Sequence, residues 1–150
     1  PWATELEFAQ VNAARCWTGL AVGTALEDMG QLMVTMDNGC GVLGDVSYTM
    51  PDRAGYSLPQ YWRTTFWGRD GLLETSTTAQ SISVALAGDE GLREEELPAA
   101  TEGGYLREFL RDIEGTVGEG ERSTEAVLKA ARTVLKIQEA ADKGLREVEL

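Results

Sequence analysis

The densest set of side chains able to handle a ligand runs from Tyr48 to Trp67. It contains Tyr48, Tyr56, Tyr61, Trp62, Phe66 and Trp67, with Arg53 and Arg63 among them. Aromatic faces beside Arg and Gln hydrogen-bonders suit a polyol or sugar, whose C–H faces stack while its hydroxyls need donors and acceptors. Alternate residues of such a stretch also pack a core or line a subunit interface, and that is the commoner use of aromatics. A second pattern, Gly39-Cys40-Gly41-Val42-Leu43-Gly44, matches G-x-G-x-x-G. Its chemistry would be a dinucleotide pyrophosphate held at a helix N-terminus. That requires a helix after the glycines, yet Asp45-Val46-Ser47-Tyr48-Thr49 is β-branched and aromatic. The ribose-binding acid expected about 20 positions on is also missing, because that window falls in Tyr61–Trp67. The glycines predict a hairpin, and no cofactor-binding residue is assigned.

The sequence has no histidine, which removes Ser-His-Asp and Cys-His systems, His general bases and imidazole metal ligands together. Carboxylates are abundant, but spacing singles out no catalytic pair, and a solvated acidic surface accounts for them. Cys16 and Cys40 lack a C-x-x-C context and histidine partners, so both are expected to be buried free thiols. No metal-ligand spacing appears. The chain has 150 residues, 43% of them hydrophobic, the size of one domain with a full core. Its formal charge of −12 argues against binding nucleic acid or an anionic membrane surface. There is no apolar run of membrane-spanning length and no signal peptide, so the expected location is a reducing cytoplasm. The start at Pro1-Trp2, without methionine, reads as a fragment.

The elements that must position these residues converge on Ser123–Leu150. Val127, Ala130, Val134, Ile137 and Ala141 recur at steps of three and four, one stripe of a helix. Ser123 or Thr124 can cap its first turn, Glu125 suits the positive end of the dipole, and Gly144 ends it. The period then falls to two, with Val148 and Leu150 opposed to Glu147 and Glu149. A helix closing on a strand implies a sheet already formed upstream. Glu5–Arg15 alternates Leu6, Phe8 and Gln10 against Glu7, Ala9 and Val11, which predicts a strand. Trp17–Asp28 is weakly patterned and reads as a loop. Gln31–Asp37 and Val42–Met50 are β-rich and joined through Asn38-Gly39, so they should pair antiparallel. Pro51–Pro59 predicts a loop, Tyr61–Trp67 a strand, Gly68–Gly71 a turn, and Leu72–Thr77 and Ser81–Ala87 two more strands. Gly88–Gly104 is a polar hinge, in which Glu94–Leu97 forms a short acidic edge. Tyr105–Val117 is helical, with Leu106, Phe109, Leu110 and Ile113 on one face, and Gly118-Glu119-Gly120 separates it from the last helix. Strands first and helices last define an α+β fold: a mostly antiparallel open sheet with helices on one face.

With these elements in order, a family resemblance emerges. Asn38-Gly39, a strand, a loop and then Phe66-Trp67-Gly68-Arg69-Asp70-Gly71-Leu72-Leu73-Glu74 resemble the strand, Gly-x-x-Gly, strand signature of the Gfo/Idh/MocA oxidoreductases. These are the glucose–fructose oxidoreductase and inositol dehydrogenase relatives. Tyr105–Ile113 is similar to that family's penultimate helix, and Ser123–Gly144 with Val148 and Leu150 to its closing helix and strand. The resemblance implies a two-domain enzyme, in which an N-terminal Rossmann domain binds NAD or NADP. The second domain is an open-sheet domain like the C-domain of glyceraldehyde-phosphate dehydrogenase. This chain resembles the second domain alone. The family's Glu-Lys-Pro and Asp-x-x-x-His motifs are absent from the sequence, so no catalytic residue is carried over. The isolated chain is expected to be inactive and to bind no cofactor by itself. The resemblance places substrate contacts ahead of the Gly-x-x-Gly strand, which here nominates Tyr56, Gln60, Tyr61 and Arg63 as substrate-binding residues. It implies a sugar, polyol or related hydroxy compound as substrate, and a homodimer or homotetramer formed through the open sheet face. The alternative is a non-catalytic binding or oligomerisation module that shares the fold.

Overall fold

The computed structural model describes residues 6–50, 53, 62–99, 102–118 and 121–150. The chain divides into two compact units, one of Pro1–Thr49 with Glu102–Leu150 and one of Met50–Thr101. Among the described residues every strand pairing is antiparallel, and the strands form two four-stranded sheets rather than one continuous sheet. The α+β class read from the sequence holds. The loop expected at Pro51–Pro59 lies, apart from Arg53, outside the described residues, as does the Glu119-Gly120 part of the interhelical spacer.

In the first unit the strands are β1 (Phe8–Trp17), β2 (Met29–Met36), β3 (Gly41–Ser47) and β8 (Arg146–Glu149), in the order β3-β2-β1-β8. A valine row crosses all four, with Val42 opposite Val34, Val34 opposite Val11 and Val11 opposite Val148. Val11 and Val34 are fully buried, as expected for β-branched side chains stacked across neighbouring strands. Strict alternation along Glu5–Arg15 would set Phe8 and Val11 on opposite faces. Irregularities between Phe8 and Gln10 and between Val11 and Ala13 change that parity, so Phe8 pairs Met36 and Val11 pairs Val34, both partners being buried.

Helix α2 (Thr124–Lys143) packs on β1. The Ser123 side chain accepts the Ala126 N–H at 3.1 Å, which is the cap the sequence predicted. The buried stripe keeps Ala130, Ile137 and Ala141 of the expected one but not Val127 and Val134. Ala126, Ala130, Thr133, Ile137, Ala140 and Ala141 are at least partly buried, whereas Val127 and Val134 are 44% and 61% exposed. Alanine at the contact lets the helix approach the strands closely, and the branched residues lie about a quarter-turn away, as 3.6 residues per turn dictates. Helix α1 (Gly104–Ile113) stops short of the predicted Val117. Gly115 takes a left-handed φ of 69°, with Thr116 N–H bonded to the Arg111 carbonyl and Gly115 N–H to that of Asp112. Gly144 ends α2 with the same pair of bonds, from Leu145 to Ala140 and from Gly144 to Ala141.

The second unit is a meander of β4 (Thr64–Gly68), β5 (Gly71–Thr75), β6 (Ser81–Leu86) and β7 (Arg93–Glu96). Phe66, Leu73 and Val84 lie across from one another on one face, with Val84 buried. Thr65, Glu74, Ser83 and Glu94 form the matching row on the other face. Among the described residues no helix is long and apolar enough to cross a membrane.

Candidate functional site

The face of the first sheet opposite α2 is exposed and carries an organised set of side chains. Cross-strand register puts Arg15, Gln31 and Asp45 in one row and Ala13, Met33 and Leu43 in the next. The Arg15 guanidinium donates to Gln31 Oε1 through Nε (3.1 Å) and Nη2 (2.8 Å), and Gln31 Nε2 donates to Asp45 Oδ1 at 3.0 Å. The same guanidinium lies 4.3 Å from the centroid of the Trp17 ring, so its charge is held by a π face and a carbonyl oxygen together. Farther along, Thr35 Oγ1 donates to Asn12 Oδ1 at 2.8 Å, and Asn12 Nδ2 donates to Gln10 Oε1 at 3.1 Å and to Glu147 at 3.4 Å. Between these two polar rows Met33 and Leu43 are exposed, Leu43 by 82%. A shallow cavity of about 610 Å³ takes in Arg15, Gln31, Met33, Leu43, Asp45 and Arg146, and extends past this face to Ala141, Gly144 and Leu145 at the end of α2. The arrangement is a central row of Met33 and Leu43 with Arg146 at its β8 end, flanked by hydrogen-bonded polar rows, which suits contact with another surface better than bond-making chemistry.

Of the substrate-binding candidates, Tyr56, Gln60 and Tyr61 lie outside the described residues. Arg63 is exposed immediately before β4. The other described members of the aromatic set, Tyr48, Trp62, Phe66 and Trp67, are likewise exposed. The structure therefore brings none of the four candidates together into a described site. Sequence reasoning passed over Arg15, Trp17, Gln31 and Asp45. The signal for them was the period of two, which puts Arg15 and Trp17 on one face with Gln31 and Asp45 across the strands.

The glycine pattern at Gly39–Gly44 is a hairpin. Gly39 has φ 84°, Met36 N–H bonds the Cys40 carbonyl, and strand β3 follows at once, so no helix N-terminus faces the glycines. The expectation of two buried thiols is corrected at both positions. Cys16 is half-buried against the Gln138 side chain at 3.7–3.8 Å, but Cys40 sits at the hairpin tip and is exposed. Among the described residues, no three His, Cys, Asp or Glu side chains converge as a metal would require.

Asp28 is the one buried charged residue among those described. Its carboxylate accepts the backbone N–H groups of Gly19 (2.5 Å), Leu20 (2.7 Å) and Ala21 (2.7 Å), closing the long β1–β2 connection. Those donors, Gly19 foremost, outweigh desolvation and hold its pKa below the ordinary aspartate value. Asp28 is a loop clamp: the three hydrogen bonds its carboxylate accepts come from the backbone beside it.

No protein-family profile matches the sequence, and no curated protein matches it. Solved structures do match. A candidate oxidoreductase from Thermotoga maritima aligns with 99% of this chain and 42% of its own at 22% identity, with a TM-score of 0.76. A candidate oxidoreductase from Erwinia carotovora atroseptica aligns with 89% of the chain and 41% of its own at 21% identity and a TM-score of 0.70. The aldose-aldose oxidoreductase from Caulobacter crescentus, solved with glycerol, aligns with 98% and 42% at 23% identity and a TM-score of 0.71. At these identities the likeness is one of fold. The chain spans about two-fifths of the length of the proteins whose fold it shares.

Proposed function

We propose that this chain is the C-terminal substrate-binding and oligomerisation domain of a longer NAD(P)-dependent oxidoreductase of the Gfo/Idh/MocA type, acting on a sugar, polyol or related hydroxy compound. The observation that carries the reading is the alignment of almost the whole chain with under half of each of three proteins named as oxidoreductases. The two helices support it independently. Glu108 pairs with Arg122 at 2.5 Å, Arg111 with Glu121 at 2.6 Å, and Asp112 accepts the Thr124 N–H at 2.9 Å. These polar ties join the charged side of α1 to residues 121–124 and leave Tyr105, Leu106, Phe109, Leu110 and Ile113 exposed. Val127, Leu128, Val134 and Leu135 of α2 are exposed as well. A helix apolar over so wide an arc suits burial on two sides, with further polypeptide laid over it.

In the longer protein the nicotinamide would supply hydride transfer, and this domain would present the hydroxyl-bearing substrate through the segment that contains Tyr56, Gln60, Tyr61 and Arg63. The open face with Met33 and Leu43 at its centre would join two copies, in a cytoplasm where Cys16 and Cys40 remain thiols. Residues 1–150 alone bind no dinucleotide in this reading. The test is to titrate 1–150, and the longer protein encoded by the same reading frame, with NAD(H) and NADP(H), then assay both on a polyol panel. Turnover or micromolar dinucleotide binding by 1–150 itself would sink the assignment.

A second reading is an assembly module without catalysis. The observation in its favour is that the Arg15–Gln31–Asp45 and Thr35–Asn12–Gln10 rows of the open face are hydrogen-bonded within the chain, which suits docking and needs no chemistry. Self-association of the longer protein, combined with no turnover on any hydroxy compound, would select it.

A further inference from the structure

We propose that Asn38 is a site of spontaneous, structure-assisted deamidation, which converts the β2–β3 hairpin into an aspartate or isoaspartate form over the protein's lifetime. Asn38 is followed by Gly39, so no Cβ shields the next backbone nitrogen, and a Cβ built on Gly39 would meet nothing within 4 Å. Residues 37–41 are all exposed, so water reaches the turn. The electrophile is held in place: Asn38 Oδ1 accepts the Cys40 N–H at 3.0 Å. That donor polarises the side-chain carbonyl, as an oxyanion-stabilising N–H does, and folds the side chain over its own main chain. One contact opposes the reaction. The Gly39 N–H, the nucleophile once deprotonated, donates to the Met36 carbonyl at 2.9 Å. Opening of that single turn bond therefore precedes attack.

The steps balance with water alone. Gly39 N loses its proton and bonds Asn38 Cγ; the Cγ–Nδ2 bond breaks, and Nδ2 leaves as ammonia after taking up a proton. Water then opens the cyclic imide. Attack at the side-chain carbonyl gives aspartate. Attack at the main-chain carbonyl gives isoaspartate and routes the backbone through an extra methylene. Either product adds a negative charge beside Asp37 on a chain that already carries −12. Isoaspartate also lengthens a connection whose register is fixed from Thr35–Gly41 to Met29–Ser47, so β3 loosens at its turn end.

Asn12, the other asparagine, is the internal control. It lies within β1, is followed by Ala13, and its side chain is bound on both sides by Thr35, Gln10 and Glu147. The experiment is to age the folded protein in mildly alkaline buffer and map peptides by mass, with isoaspartyl methyltransferase labelling. The expected result is replacement of NH by O confined to the Asn38 peptide, partial methyl labelling there, and none in N38Q. Conversion at Asn12 matching that at Asn38 would overturn the proposal. So would an unchanged Asn38 under conditions that convert a free peptide of the same turn sequence. Both readouts come from the wild-type chain, so they stand even if the variant fails to fold.

Discussion

The sheet of β1, β2, β3 and β8 and the sheet of β4 to β7 hold equal numbers of strands, and each concentrates charge on one edge. The outer strand β8 reads Arg-Glu-Val-Glu and β7 reads Arg-Glu-Glu-Glu, while the opposite edges, Gly41–Ser47 and Thr64–Gly68, hold a single charged residue, Asp45, between them. Charged edges discourage unwanted strand addition. What differs is the backing. The first sheet has α2 against it and buries Val11, Val34 and Met36; the second unit has no helix among its described residues and buries Val84. Strand pairing alone therefore makes a sheet but not a core, and the 20-residue helix supplies the difference.

The largest expected effect breaks that comparison at matched positions. Val34→Ala removes two methyls from a fully buried site in the helix-backed sheet and should cost about 2–3 kcal/mol. Val84→Ala should cost about 1 kcal/mol, because fewer neighbours are left without contacts. Urea midpoints at constant m-value measure both. Equal losses would mean that the second sheet is backed as well as the first. Next in size is the helix stripe. Ala140→Leu should overpack the helix–sheet contact and cost about 1–3 kcal/mol, whereas Val134→Ala should stay within about 0.5 kcal/mol in this chain. The reverse order would restore the stripe read from the sequence.

That reversal shows where sequence reasoning stops. Strands, hairpin and both helices are legible because period, Asn38-Gly39, Ser123 and Gly144 are local signals. The stripe is misread at two positions because hydrophobic periodicity counts Val127 and Val134 as core, while close helix–sheet approach selects the smaller Ala126 and Thr133 beside them. The end of α1 is missed because Gly118 looks like the stop, whereas Gly115 is the residue that turns left-handed. The irregularities in β1 change parity without any glycine or proline to mark them. The open-face ladder is invisible because Arg15, Gln31 and Asp45 are far apart in sequence and meet only through register. The candidate residues Tyr56, Gln60 and Tyr61 come from the family resemblance, and no described geometry bears on them.

Each sheet holds a carboxylate by a different kind of donor, and acid should act on both. Asp28 is held below the ordinary aspartate value of 3.8 by backbone donors, and Glu94 below the glutamate value of 4.5 by the Ser81 and Ser83 hydroxyls. A folded-state pKa below the unfolded one adds stability that is fully present above the unfolded value and lost as pH falls through the folded one. Both sheets should therefore weaken below the ordinary carboxylate range. Asp28→Asn keeps the shape but offers the Gly19–Ala21 amides one weak acceptor. Hydrogen exchange at those three amides should then be fast at neutral pH, with Val34 unaffected. Slow exchange in D28N would show that the loop is held by something else.

The smallest effect compares the two polar faces. On the second sheet Thr65 donates to Glu74 at 2.7 Å, and Ser81 and Ser83 donate to Glu94 at 2.5 and 2.6 Å, so carboxylates organise that face. On the first sheet a cation does so, through the Arg15 fork on Gln31 and its contact with Trp17. A lysine keeps the charge but offers neither the planar stack nor two donors in fixed geometry. Arg15→Lys should therefore cost about 0.5–1 kcal/mol, with the Trp17 fluorescence environment altered. Glu74→Gln should change little, because an amide oxygen still accepts from Thr65. If R15K proves neutral while E74Q destabilises, the first face owes its order to strand register alone, and the Arg15–Trp17 contact is incidental to it.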